Sequence, residues 1–169
     1  MRSTRLMMLV LAALAAGCTE LPSIDPGFDE GDLGGEPVPV TRVHEAFPAG
    51  YSGLAEQAQL VVESRAEWEE VWRRMWQYTD PAPAAPAIDF SRHTVVVAAM
   101  GSRPTGGAGV RVEKAASHAD HVVVQVVETS AGDGCGTTQA VSAPVDVVAI
   151  PRTPQPIRFR IAQTVRECS

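Results

Sequence analysis

Histidines are the side chains of this sequence that most readily suggest acid–base chemistry near neutral pH or metal binding. Of its four histidines, two stand close together as His118-x-x-His121, with Asp120 between them. This spacing falls in a turn that enters a strand, where we expect residues three apart to point to opposite faces, so it does not favour a pair of metal ligands. We interpret the segment as a solvated turn, and we predict no catalytic residue, no metal site and no cofactor.

The first cysteine marks a processing site. Cys18 follows Leu14-Ala15-Ala16-Gly17 at the end of an apolar run behind two arginines, and this arrangement resembles the signal peptide of a bacterial lipoprotein. The resemblance implies cleavage after Gly17 and lipidation of Cys18. An ordinary cleaved signal and an N-terminal anchor helix are the alternatives. We therefore expect export and a lipid anchor in the bacterial membrane. If the host is diderm, resemblance to known lipoprotein sorting rules implies the outer membrane, since Thr19 and not aspartate follows Cys18.

The other two cysteines then form an even pair in an oxidising compartment. We expect Cys135 and Cys168 to form a disulfide. On the chain-entropy model, closing such a loop stabilises the fold by about 3 to 4 kcal/mol. The alternative is that Cys135 is a catalytic nucleophile, but no organised histidine and Asn or Asp partners accompany it.

The acidic residues are concentrated just after Cys18. Removal of residues 1–17 takes two arginines from the 14 basic residues and none of the 20 acidic ones, so the net charge changes from −6 to −8. Such a charge argues against nucleic acid as a partner. Residues 19–40 combine acids with prolines and glycines and contain no base, as a flexible linker does. We divide the chain into a signal peptide (1–17), a lipidated cysteine with its linker (18–40) and one globular domain (41–169).

One helix is predicted near the start of the domain. Ser64 and Glu67 have the spacing of a capping box, and Asp80-Pro81 ends the pattern. The apolar residues between them share one helical face: Trp68, Val71, Trp72, Met75 and Trp76. This face holds all three tryptophans, and it is either pressed onto a sheet or left open as a patch for a partner. We favour burial.

After the helix, β-branched runs predict strands. They are Thr94–Ala99, Gly109–Val112, His121–Val127, Val145–Ile150 and Ile157–Ile161, after an earlier strand near Leu60–Glu63. The connections are too short for crossover helices, so we expect neighbouring strands to pair antiparallel. Val95-Val96-Val97 and Val122-Val123-Val124 are apolar on both faces, which indicates a central position or a sheet curled into a sandwich or barrel. The predicted class is α+β, a mainly antiparallel sheet with one amphipathic helix packed on it.

The most distinctive loop lies between the first two of these later strands. Its central residues are Arg103, Pro104, Thr105, Gly106 and Gly107. Proline fixes its own φ and glycine permits positive φ, so the loop could form a rigid, protruding tip that binds a partner. A tight hairpin connection is the simpler alternative. The loop does not match a phosphate-binding motif, because that motif needs Lys and Ser or Thr after the second glycine and then a helix.

The order of several motifs resembles the family of the protease complex subunit PrcB. These motifs are Trp68 with Trp72, Ile88-Asp89-Phe90-Ser91, a strand running into Gly-x-Arg-Pro-Thr-Gly-Gly, Val127-Glu128-Thr129, the Cys135 region, Thr138-Gln139, Ala143-Pro144 and Val147-Val148. The resemblance covers roughly residues 54–162 and implies an accessory role beside a surface protease. Two positions depart from the family, since Ala108 stands where relatives have tyrosine, and Val145 where an aromatic residue is common. Without an aromatic residue at its tip, the loop has less apolar contact area with which to bind a partner.

Together these observations predict a membrane-tethered, non-catalytic protein-binding lipoprotein, an accessory or stabilising subunit of an extracytoplasmic protease or envelope complex. Arg103–Gly107 is its predicted partner-binding loop. One alternative is a loop-based protease inhibitor, because the Pro-Thr-Gly-Gly stretch is similar to the Pro-Thr-Thr-Gly loop of chagasin-type inhibitors. Another is a small-ligand or glycan-binding envelope lipoprotein, which a deep apolar pocket lined by the helix tryptophans would favour.

Overall fold

A computed structural model describes residues 33–43 and 50–168 of the chain. Its elements are β1 (Glu36–Val38), β2 (Thr41–Arg42), β3 (Ala58–Val62), α1 (Arg65–Met75), β4 (His93–Ala99), β5 (Gly109–Ser117), β6 (Val122–Ala131), β7 (Val145–Pro151) and β8 (Ile157–Arg166). The predicted signal peptide, Cys18 and the linker before Leu33 lie outside the described residues. Within the described ranges, no helix has the length and apolar character that a membrane crossing requires.

The strands form two four-stranded sheets. The outer sheet has the order β1-β5-β6-β8, and the middle sheet has the order β2-β7-β4-β3. Every strand pair is antiparallel except β6 with β8. The predicted α+β class is confirmed, and its strands form a sandwich of two separate sheets with a single described helix beside it.

The middle sheet is apolar on both faces because both faces are covered. Along β4, Val95 and Val97 pack in one cluster with the helix tryptophans, whereas Val96 and Ala98 pack in a second cluster with valines of the outer sheet. Side chains alternate along a strand, so neighbouring residues enter different cores. The central position predicted from Val95-Val96-Val97 is therefore confirmed, and the molecule has three layers: helix, middle sheet and outer sheet.

The helix begins at the predicted capping box. Ser64 Oγ accepts a hydrogen bond from the Glu67 N–H at 3.3 Å. The Glu67 carboxylate accepts from the Glu63 N–H at 3.0 Å, one residue before the usual position. The hydrogen bond from the Glu63 N–H, followed by an interaction of the Ser64 side chain with the same carboxylate, holds the pKa of Glu67 below its ordinary value. The N-terminus of α1 is thus fixed by local sequence alone.

The tryptophan face of the helix is buried, as predicted. Trp68, Trp72 and Trp76 are 2%, 4% and 6% exposed. The indole N–H of Trp68 donates to the Pro86 carbonyl and that of Trp72 donates to the Pro83 carbonyl, at 3.0 and 2.8 Å. The proline-rich segment after the helix therefore accepts hydrogen bonds from the indoles of Trp68 and Trp72 and satisfies their polar edges.

Two features of the chain path are not evident in the local sequence. β6 and β8 pair in parallel because β7, which lies between them in sequence, belongs to the other sheet. The chain crosses to the middle sheet and back, so β8 returns in the direction of β6. In addition, Glu36–Val38, within the range predicted as linker (18–40), forms β1 and pairs with β5. Pro37 is compatible with a strand here, since β1 lies at the edge of the outer sheet.

A charged clamp joins the two sheets. Arg42 of β2 donates to both carboxylate oxygens of Asp146 in β7, at 3.0 and 2.7 Å, and to the Val112 carbonyl at 3.2 Å. Asp146 in turn accepts from the Val112 N–H at 2.8 Å. Val112 borders the irregularity in the pairing of β5 with β6. The clamp therefore satisfies backbone groups next to that irregularity.

We expect Asp146→Ala to destabilise the fold by about 2 kcal/mol, because it removes the carboxylate that accepts from both the Arg42 guanidinium and the Val112 N–H. Urea unfolding followed by tryptophan fluorescence measures this change. Glu70→Ala is the control, since it breaks an exposed ion pair with Arg73 and should leave the unfolding midpoint unchanged. Equal midpoints for the two variants would contradict the role of the clamp.

Candidate functional site

The predicted partner-binding loop connects the two sheets. It leaves β4 in the middle sheet and enters β5 in the outer sheet, and these strands are not neighbours in either sheet. The alternative of a tight hairpin connection is therefore wrong. A connection that crosses between layers must pass around one end of the sandwich, and this end, which we call the loop end, also receives the connection from β6 to β7.

The loop is tied to neighbouring chain by backbone hydrogen bonds. Arg103 and Ser142 form an antiparallel bridge, with N···O distances of 2.7 and 3.0 Å. The Ser142 hydroxyl donates to the Thr105 carbonyl at 2.9 Å, and the Gly106 N–H donates to the Thr138 carbonyl at 2.9 Å. The loop is held along most of its length, and Pro104 is the exposed residue at its turn while Thr105 to Gly107 are half-buried.

Two glycines permit this close approach. A Cβ at Gly106 would overlap the Thr138 hydroxyl. Gly107 has φ of 94°, and a Cβ there would lie 3.0 Å from Thr137 Cγ2 and 3.1 Å from Ala131 Cβ. The absence of side chains at Gly106 and Gly107 therefore lets the loop pack closely against segment 131–138, and it also permits the backbone conformation of the turn.

The facing wall is held by a disulfide between Cys135 and Cys168, the pairing predicted from the cysteine count. The Gly132 N–H donates to the Arg166 carbonyl at 2.9 Å, and the Cys135 N–H donates to the Gly132 carbonyl at 3.0 Å. Between this wall and the loop lies a cleft of about 350 Å³, lined in part by Arg103, Thr105 and Asp133. The cleft is shallow and polar, and its walls are fixed by covalent and backbone bonds.

The loop end also carries exposed aromatic residues that sequence reasoning missed. Tyr51 forms a parallel bridge with Ala143, which places it beside the strand segment that pairs with Arg103. The Tyr51 ring lies 5.8 Å from that of Tyr78, centroid to centroid. Tyr51, Tyr78 and Val141 are 43%, 69% and 55% exposed. This tyrosine pair comes from distant parts of the chain, so no local pattern reveals it.

The two histidines of the His118-x-x-His121 pair lie together, contrary to the expectation that they point to opposite faces. Their rings stack with centroids 4.7 Å apart, because the His118 N–H donates to the His121 carbonyl across the tight β5–β6 turn. His121 Nδ1 lies 2.7 Å from Asp120, and this hydrogen bond holds the pKa of the Asp120 carboxyl below its ordinary value. In the described part of the chain, no group of three or more His, Cys, Asp or Glu could hold a metal ion.

The comparison with protein families bears on this same region. Residues 94–151 match the family model described as PrcB C-terminal. The chain carries a PrcB C-terminal-type domain. The match runs from β4 to the end of β7 and so includes the whole loop Gly101–Gly109, Cys135 and Ser142. No curated protein and no solved structure shows significant similarity to the chain.

The family match covers only the segment from β4 to β7. The matched residues include the Arg103–Ser142 bridge and the Cys135 wall, but they exclude α1, Tyr51 and Tyr78. The domain therefore supplies the tied loop, and the surrounding chain adds the aromatic pair beside it.

Substitution of Gly107 tests whether the loop end is rigid. We expect Gly107→Ala to destabilise the fold by about 1 to 2 kcal/mol, because alanine is strained at positive φ and its Cβ would press on Thr137. Hydrogen exchange of the loop amides should accelerate as well. Gly109→Ala is the matched control, since no atom lies within 4 Å of a Cβ there. Unchanged exchange in Gly107→Ala would contradict a loop held in one conformation.

Proposed function

We propose that the protein is a membrane-tethered, non-catalytic accessory subunit of an extracytoplasmic protease or envelope complex, and that the loop end binds its protein partner. The observation that carries the proposal is the tyrosine pair beside the tied loop. Tyr51 and Tyr78 are large, exposed and in mutual contact, and tyrosine is enriched at the energetic centres of protein interfaces. The family match supports the same conclusion at a coarser level.

Rigidity makes the loop end suitable for recognition. The Arg103–Ser142 bridge, the Gly106–Thr138 hydrogen bond and the disulfide fix the backbone before any partner arrives. A surface ordered in advance loses less conformational entropy on binding, so more of the contact energy appears as affinity. Arg103, half-buried in the cleft wall, adds a cation for which an acidic or carbonyl-rich partner surface is suited.

The proposal that the protein is non-catalytic is supported by the bonding of Cys135 and by the contacts of two histidines. Cys135, the nucleophile considered from the sequence, is disulfide-bonded and has no thiol. His121 contacts exposed Asp120 in a turn, and His93 Nδ1 lies near the Asp89 carbonyl. None of these contacts pairs a nucleophile with a base.

The anchor and the location of the protein come from the N-terminal sequence alone. Cys18 after Leu14-Ala15-Ala16-Gly17 supports lipidation, and two or three acyl chains would hold the chain at the bacterial membrane. The chain from residue 19 to β1 then separates the lipid from the folded domain. This arrangement presents the loop end to other proteins outside the cytoplasm.

The two alternatives receive less support from the geometry. An inhibitor of the chagasin type inserts a loop into a protease cleft, whereas here Thr105 and Gly106 are hydrogen-bonded to the neighbouring wall. A glycan site between the helix tryptophans would need a pocket there, whereas those indoles are buried in a core cluster with Val95 and Val97. The accessory role needs neither insertion nor a deep pocket.

Crosslinking followed by affinity purification from the native envelope tests the proposal. We expect one protein, a protease or a component of its complex, to be recovered repeatedly with the wild-type chain. Tyr51→Ala combined with Tyr78→Ala should reduce that recovery by about tenfold or more, because each removes a contact of the kind that dominates interfaces.

The matched control is the double variant Tyr51→Phe and Tyr78→Phe, which keeps both rings and should retain most of the recovery. The absence of any recurring protein partner would overturn the accessory role. Sub-micromolar inhibition of a purified protease, lost when Thr105 to Gly107 are replaced, would select the inhibitor instead.

A further inference from the structure

The last strand presents a long free edge. β8 (Ile157–Arg166) lies at the margin of the outer sheet and pairs there with β6 alone. Its ten residues equal the length of β6, and among the described residues no strand lies along its other side. An edge of this length offers a row of backbone donors and acceptors that a further strand can use.

The register shows which residues offer these groups. The Val122 N–H donates to the Pro156 carbonyl at 3.0 Å, and the Gly132 N–H donates to the Arg166 carbonyl at 2.9 Å. Even-numbered residues of β8 therefore direct their backbone groups toward β6. In a strand the direction alternates, so Phe159, Ile161, Gln163 and Val165 direct their N–H and C=O groups away from the sheet.

The side chains along this edge differ between the two faces of the sheet. On the inner face, Ile161 and Val165 are 40% and 60% exposed, although they continue the row that Phe159 begins in the core. On the outer face lie Arg158, Arg160 and Arg166, and β8 contains no acidic residue. The strand thus adds three positive charges to one face in a chain whose net charge is −6.

We propose that β8 binds an extended acidic segment of a partner protein as an additional strand of the outer sheet. The segment would alternate acidic and apolar residues. Its acidic side chains would lie beside the arginines of the outer face, and its apolar side chains would cover Ile161 and Val165. The backbone groups of Phe159 to Val165 would supply the hydrogen bonds, and the side-chain alternation would supply the specificity.

A second copy of the chain fits this edge poorly. Two copies joined through β8 would make a symmetric contact, in which each strand faces its own sequence. The arginines of both copies would then lie on the same face of the joined sheet, and like charges close together on paired strands destabilise the pairing. The same charges keep the edge from aggregating while they attract an acidic strand.

This proposal does not rest on the accessory function, and the β8 edge meets the loop end only at Arg166, whose carbonyl accepts from the Gly132 N–H. Tyr51, Tyr78 and Pro104 lie outside β8, so variants at the two surfaces can be scored separately. Loss of binding at one surface with retention at the other would show which of the two proposals fails.

The test uses the full-length protein in detergent and three fluorescein-labelled ten-residue peptides. One alternates Glu with Val, the second alternates Lys with Val, and the third contains the Glu and Val residues in two separate blocks. Fluorescence anisotropy should show binding of the alternating acidic peptide, at least about tenfold tighter than either of the others and weaker at high salt. Hydrogen exchange of β8 should slow only with the alternating acidic peptide.

Two variants separate the charge contribution from the backbone contribution. Arg158→Glu should weaken binding of the acidic peptide by about tenfold, whereas Arg65→Glu, the same charge change on α1, should not. Val165→Pro removes an outward-directed N–H without touching the pairing with β6 and should also weaken binding, whereas Val165→Thr keeps that N–H and should not. Circular dichroism and the unfolding midpoint confirm that each variant is folded.

Several results would overturn the proposal. Equal binding of the alternating and blocked peptides would indicate charge attraction without strand addition. A dimer in sedimentation analysis that Val165→Pro dissociates would assign the edge to a second copy. Peptide binding that appears only after Glu20, Asp25, Asp29, Glu30 and Asp32 are neutralised would assign it to the chain's own acidic segment.

Discussion

The rest of the structure depends on the need to cover the middle sheet on both faces. β4 alternates side chains between two cores, so Val95 and Val97 require the helix, and Val96 and Ala98 require the outer sheet. Burial of apolar area is the dominant favourable contribution to folding. Because both layers are needed, the chain must cross between sheets several times, and these crossings produce the loop end. The surface proposed for binding is therefore a consequence of how the core is covered.

The two proposed surfaces would bind their partners through different interactions. The loop end has few free backbone groups, because the Arg103–Ser142 bridge and the disulfide restrain it, and it offers exposed aromatic rings. The β8 edge offers unpaired backbone groups and positive charge. Rigid aromatic contacts favour a folded partner surface, whereas an open strand edge favours an extended segment. A subunit that connects a folded protein to a flexible one could use both at once.

Local sequence patterns predicted the helix and most strands. The features that they did not predict depend on contacts between segments that are distant in sequence. Ser64 and Glu67 fixed the start of the helix, and the two-sided valines of β4 indicated its central position, because both signals act within a few residues. The parallel β6–β8 pair, the stacking of His118 on His121 and the contact of Tyr51 with Tyr78 depend on how distant segments meet. Glu36–Val38 was assigned to the linker because proline and acidic residues are rare in strands, although an edge position tolerates them.

The central claim is that the folded domain acts by binding another protein at the loop end. The most direct test of this claim is photo-crosslinking in living cells. A photo-crosslinking amino acid replaces Tyr78, and the molecule that becomes covalently attached to it is identified. The account predicts a single discrete protein adduct that belongs to an extracytoplasmic protease or envelope complex. The same probe in place of Glu69, on the exposed face of α1, should give no such adduct. Attachment only to lipid or glycan, or no adduct from Tyr78 at all, would contradict the account.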